Sequence, residues 1–147
     1  MSTKEQLENG LKDAMRAGDD LRKRTLRMAL AAIRQVEIDK GTTLDDSAVM
    51  AILQKEIKSR QEAVDEARRA GRPDLEQAAQ AEIGVLQAFL PQPLSAEELE
   101  ALARQAVADA GATSPREMGQ VMKILLPRLG GRASGDQASQ AVRKLLQ

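Results

Sequence analysis

The sequence predicts an all-α protein, with an N-terminal helical part of about four helices followed by a C-terminal three-helix bundle. Three observations carry that expectation. Ala, Leu, Glu, Gln, Lys and Arg dominate the chain, and all favour helix. Apolar residues recur at steps of three and four, and no stretch alternates in the manner of a strand. Helix start and stop signals punctuate the chain from end to end.

Helix one starts behind Ser2 or Thr3, where Ser2-x-x-Glu5 forms a capping-box pattern, and Gly18 ends it. Leu7, Leu11, Ala14 and Met15 form its apolar stripe. Helix two runs from about Asp20 to Lys40 on Leu26, Ala29, Leu30 and Ile33, with Gly41 as its stop. Asp45 caps helix three, whose stripe is Val49, Ile52, Leu53, Ile57, Val64 and Ala67, and Gly71 closes it. Helix four opens at Pro73, a residue suited to the first turn, and carries Leu75, Ala79, Ile83, Leu86 and Phe89.

Pro91-Gln92-Pro93 then breaks the chain, because residues before proline resist helical dihedrals and two prolines make a stiff linker. It divides an N-terminal domain, residues 1–90, from a C-terminal bundle, residues 94–147. Helix five follows the capping box Ser95-x-x-Glu98 and uses Leu99, Leu102, Ala106 and Val107 up to Gly111. Ser114-Pro115-x-Glu117 predicts a third capping box for helix six, which holds Met118, Val121, Met122 and Leu125. Pro127 and Gly130-Gly131 close it. Ser134 or Asp136 opens helix seven on Ala138, Val142, Leu145 and Leu146. Some fifty residues are marginal for an independent fold, so this bundle leans on its caps or on a partner.

Composition excludes several chemistries. The 147 residues contain no Cys, His, Trp or Tyr, and Phe89 is the only aromatic residue. There is no thiolate, no imidazole base and no row of aromatics on which bases could stack. No Walker loop or GxGxxG occurs. The expectation is therefore no cofactor, no metal and no catalytic residue. The longest apolar run, Met28–Ile33, is far too short to span a bilayer. The N-terminal stretch lacks the apolar centre of a signal peptide. No membrane association and a cytoplasmic location are expected.

The 22 basic and 22 acidic residues balance, but unevenly along the chain. Residues 16–34 and 112–147 each carry six basic against two acidic residues, a local net charge of +4. On helix two, Lys23, Arg27 and Arg34 fall within about 40° of one another at ~100° per residue. They form either a solvated edge covering the core with their stems or a ridge that contacts phosphate. On helix six, Arg116, Gln120 and Lys123 lie opposite the apolar stripe, and Arg128 and Arg132 follow around Gly130-Gly131. A glycine pair, a basic residue and a helix N-terminus can hold an anion, or can simply stop one helix and start the next.

A further polar set falls on apolar faces: Glu37 on helix two, Glu56 and Arg60 on helix three, and Glu82 on helix four. The structural reading makes Glu56 and Arg60 an i,i+4 pair, with the remaining carboxylates meeting an arginine across a helix interface. The sharper reading is a carboxylate cluster for acid/base or metal chemistry.

Two C-terminal stretches are recognisable. Met118-Gly119-Gln120-Val121-Met122-Lys123 and Gly131-Arg132-Ala133-Ser134-Gly135, followed by an amphipathic helix, resemble the GatB/YqeY domain. Leu26–Ile33, Leu53–Arg60 and Phe89–Ser95 resemble the stand-alone YqeY-like proteins, so the resemblance covers essentially the whole chain. It implies kinship with the tail of the B subunit of the tRNA-dependent amidotransferase that amidates Glu-tRNA(Gln) or Asp-tRNA(Asn). That tail handles tRNA while the catalytic centres lie elsewhere. The resemblance places tRNA-facing candidates at Gly119, Lys123, Arg128 and Arg132. The chain departs from the family pattern at Ser134, which replaces an aspartate and predicts a weaker final cap. It departs again at Pro93, which replaces a polar residue.

These readings imply a non-catalytic tRNA-binding or amidotransferase-related accessory module, with tRNA and aminoacyl-tRNA-handling proteins as partners. One alternative is a subunit-like carbon–nitrogen ligase using glutamine as amide donor when docked on an amidase. Another is a protein–protein adaptor without a nucleic-acid role, motivated by the neutral overall charge and the two Met on one stripe, Met118 and Met122, which an exposed apolar groove on helices five to seven would favour.

Overall fold

The computed structural model describes residues 1–147. It is all-helical, without a strand. The helices are α1 (Thr3–Ala17), α2 (Asp20–Lys40), α3 (Asp46–Arg69), α4 (Pro73–Gln87), α5 (Ala96–Ala110), α6 (Met118–Leu125) and α7 (Gly135–Leu146). The chain divides into two compact units, Met1–Pro91 and Gln92–Gln147.

Side-chain caps fix most of the helix starts. Ser2, Asp19, Asp45 and Ser95 each accept a hydrogen bond from the amide three residues on, at 2.8–3.1 Å. Each such bond satisfies one orphan donor and contributes about 1 kcal/mol. At the end of α2, Gly41 turns into the left-handed region with φ of 68°, and its N–H reaches the Glu37 carbonyl at 2.8 Å. A side chain there would meet the following carbonyl, which is why glycine stands at this position.

In the first unit, α1 packs on α2, and α3 packs most extensively on α4, across the turn at Gly71. Leu7, Leu26, Ala29, Ile33, Val49, Leu53 and Leu86 form the main core. A smaller cluster of Val64, Ala79 and Ile83 meets it through Ile57. Gly10, buried inside α1, makes room for the Phe89 ring: a Cβ there would stand 2.8 Å from Phe89 Cζ.

In the second unit, α5 packs against α6 and α7, and α6 against α7. Its core is rich in alanine, with Ala103, Ala106, Ala133 and Ala138 around Val121, Leu125, Leu129 and Val142. Small side chains let helices approach closely but remove less apolar surface from water. The segment before α5 is tied in by the Leu94 amide, which donates to the Arg132 carbonyl at 2.9 Å.

Three local expectations are corrected. Residues Pro115–Glu117 form a 3-10 turn, and Ser114 makes no side-chain cap, so α6 starts only at Met118. The Glu117 carboxylate accepts from the Thr113 hydroxyl at 3.4 Å and does not reach back to close a box. Met15 and Leu75 are half-exposed, each standing in a terminal turn of its helix. Ser134 is a full cap. Its hydroxyl accepts from the Gln137 amide at 3.1 Å while the Gln137 side chain accepts from the Ser134 amide at 2.9 Å.

Candidate functional site

The most buried charge in the protein is Arg60, 7% exposed on the inner side of α3. Its Nη1 donates to Glu56 Oε2 at 2.9 Å, one turn back, and also to the Glu56 carbonyl at 3.1 Å. Its Nε donates to Glu82 Oε2 on α4 at 3.2 Å. Glu82 receives a second guanidinium, Arg24 of α2, at 3.5 Å. Two carboxylates and two guanidinium groups therefore balance, and the network crosses three helices. A buried arginine needs such partners, because leaving either side unpaired costs far more than the pair returns. The carboxylates converge on the Arg60 fork, and no group of three ligand-type residues forms a cage for a metal ion.

Glu37 does not join this network. Its Oε1 accepts from Lys4 Nζ at 2.9 Å and its Oε2 from the Leu44 amide at 3.0 Å. The Leu44 amide first, and then Lys4, hold the Glu37 carboxyl below the usual range. Nearby, Asp46 clamps the start of α1, accepting from the Thr3 amide at 2.7 Å and from the Thr3 hydroxyl at 3.0 Å. Arg24, Lys4 and Asp46 carry no local sequence signal, because their partners lie 33 to 58 positions away.

The basic candidates differ in availability. On α2, Lys23 lies 3.8 Å from Asp20, whereas Arg27 and Arg34 are exposed and form no ion pair. In the second unit, Arg128 pairs with Asp109 of α5 at 2.7 Å. Arg132 donates to the Gln92 carbonyl at 2.9 Å and to Glu98 at 3.2 Å. It therefore staples the segment leading into α5 and does not project toward solvent as an open cation. The N-terminus of α7, behind Gly130-Gly131, is closed by its own Ser134–Gln137 box. Arg116 and Lys123 remain exposed and without an ion pair. Gly119 stands between them on α6, also exposed, with nothing within 4 Å of where its Cβ would lie. Met118 and Met122 are half-buried and pack onto the unit's own core.

The family model for Yqey-like proteins matches residues 4–146. The chain belongs to the YqeY-like family. Among curated relatives of this YqeY-like chain are proteins named "Altered inheritance of mitochondria protein 41, mitochondrial". That of Eremothecium gossypii is 42% identical over 100 residues, covering 66% of this chain and 55% of the relative. That of Lachancea thermotolerans is 38% identical over 95 residues, covering 64% and 51%. That of Pyrenophora tritici-repentis is 30% identical over 129 residues, covering 86% and 71%. The chain spans about half the length of the first two relatives.

The expectation of a cytoplasmic protein is overturned by these relatives, which are named as mitochondrial. The reason is physical: a missing apolar centre excludes a secretory signal, whereas mitochondrial addresses are amphipathic and Arg-rich. No helix is long and apolar enough to cross a membrane.

Proposed function

We propose that this YqeY-like protein is a non-catalytic accessory module whose C-terminal three-helix domain, residues 94–147, contacts the backbone of tRNA. The four-helix domain, residues 1–90, is separate in this reading. The observation that carries it is the Arg116–Gly119–Lys123 edge. Gly119 stands in the first turn of α6, and no packing neighbour requires a glycine there. A bare backbone between two unpaired cations suits the close approach of a phosphate chain. Arg128 and Arg132 are left to internal roles. The resemblance to the tail of the tRNA-dependent amidotransferase B subunit supports tRNA as the nucleic acid.

Equilibrium binding of the full chain to unmodified tRNA, across a salt series, tests this. Arg116→Glu/Lys123→Glu is expected to lower affinity at least about tenfold and to flatten the salt slope by about two. Gly119→Leu is expected to weaken binding while leaving the helical signal intact. Unchanged affinity in both variants, or equal affinity for heparin and tRNA, would overturn the reading.

A further inference from the structure

The inner face of α2 is used by the core, through Thr25, Leu26, Ala29 and Ile33. Its outer face is left largely uncovered by the fold; Met28, at one edge, meets α3, its sulfur accepting from Arg60 Nη2 at 3.9 Å. At ~100° per residue, that face gathers Arg27, Met28, Ala31, Arg34 and Ile38. Met28 is 51% and Ile38 66% exposed, and Arg27, Ala31 and Arg34 are exposed as well. No acidic residue occurs from Leu21 to Val36. The carboxylates near the ends of the helix are engaged: Asp20 with Lys23, Glu37 with Lys4, and Asp39 with Gln35. Arg24 is drawn away to Glu82. What faces solvent is an apolar stripe edged by two guanidinium groups that form no ion pair, seven residues apart and about 10 Å along the axis, with the Glu37 carboxylate near enough to feel the charge of Arg34.

We propose that this face docks an acidic amphipathic segment of another protein. Its carboxylates would sit about 10 Å apart to reach Arg27 and Arg34, with apolar side chains between them covering Ala31 and Ile38. Charge and hydropathy choose this occupant. A second copy of the chain would bring the same cations face to face, because a two-fold interface pairs a surface with itself. A phosphate backbone would satisfy the arginines but would leave Ile38 and Met28 without apolar cover, and no aromatic side chain is near to stack a base. The surface lies on the N-terminal unit and does not depend on the RNA reading of the C-terminal one.

A photo-crosslinking residue at position 31 of the chain, used in the source cells, tests the proposal. The crosslinked material is digested and the attached segment sequenced. The expected result is a protein segment of net negative charge with apolar residues at steps of three and four. Its yield should fall about tenfold in Arg27→Glu/Arg34→Glu and severalfold in Ile38→Ser, with circular dichroism unchanged. The sequenced segment, made as a peptide, should bind the purified chain in fluorescence anisotropy with the same order of loss. Crosslinks to RNA, to lipid, to the chain itself or to a neutral or basic segment would overturn it. So would a failure to crosslink, or a yield indifferent to these substitutions.

Discussion

In the Met1–Pro91 unit one guanidinium, Arg60, is held almost out of water between Glu56 and Glu82. In the Gln92–Gln147 unit the corresponding arginines, Arg128 and Arg132, keep side-chain exposures of 40% and 41% and meet one carboxylate each. The first arrangement cannot be exchanged for water without leaving carboxylates stranded, so it fixes how α3 and α4 meet. The second is screened and individually weak, so that unit depends on its caps, its backbone tether and its small core. The same residue type is thus structural glue in one unit and a surface clasp in the other, and the difference is set by burial.

The largest test of that contrast is Arg60→Met. It should cost about 3 kcal/mol in urea unfolding, because Glu56 and Glu82 lose their common partner. Arg60→Met/Glu56→Gln/Glu82→Gln should recover much of it, since the stranded charges are then gone. Arg128→Met, measured identically, should cost less than about 1 kcal/mol. Equal costs for the two single variants would break the comparison.

Core size gives the next effect. Leu125→Ala should cost about 3 kcal/mol in the second unit, much of what a fifty-odd-residue bundle can supply. Amide exchange should then show α5–α7 losing protection while α1–α4 retain theirs. Gly10→Ala should destabilise the first unit by about 1–3 kcal/mol. The new methyl meets the Phe89 ring, reversing the usual benefit of replacing a helical glycine. Ser134→Ala should cost about 1 kcal/mol, read as a lowered urea midpoint, through loss of the capping box.

The smallest effect is that of pH. Asp109 is held below the usual carboxylate range, first by the hydrogen bond from Arg128 and then by that from Gln105. The unfolded chain takes up this proton near pH ~3.9. The folded chain resists until lower pH, so the contribution is complete above that value and disappears as pH falls through the folded one. Asp109→Asn should leave a urea midpoint series between neutral pH and pH 3 slightly flatter at its acid end.

The helical class and most helix boundaries were legible because caps, glycines and prolines act within a few residues of chain. Ser2, Asp45, Ser95 and Gly41 each report a local backbone need, whereas the Asp19 cap of α2 emerged only in the structure. The Glu56–Arg60 pair was legible for the same reason, being one turn apart on one helix. Reading failed where a neighbour in space decided. Ser114 matched the capping pattern, but Glu117 turned to Thr113. Met15 and Leu75 kept the apolar period but are left half-exposed.

By itself, then, the sequence determined where most helices begin and end and which face of each is apolar, since those depend on short-range sterics, hydrogen bonding and period. Tertiary structure alone decided which charges are spent. Arg60 finds Glu82, Arg24 joins it from another helix, and Arg128 and Arg132 are engaged at the surface by Asp109, Glu98 and the Gln92 carbonyl. Arg27, Arg34, Arg116 and Lys123 look no different in the sequence, yet they stay exposed and form no ion pair, although the Glu37 carboxylate feels the charge of Arg34. Availability of a charge is a property of distance in space, and distance is what folding supplies.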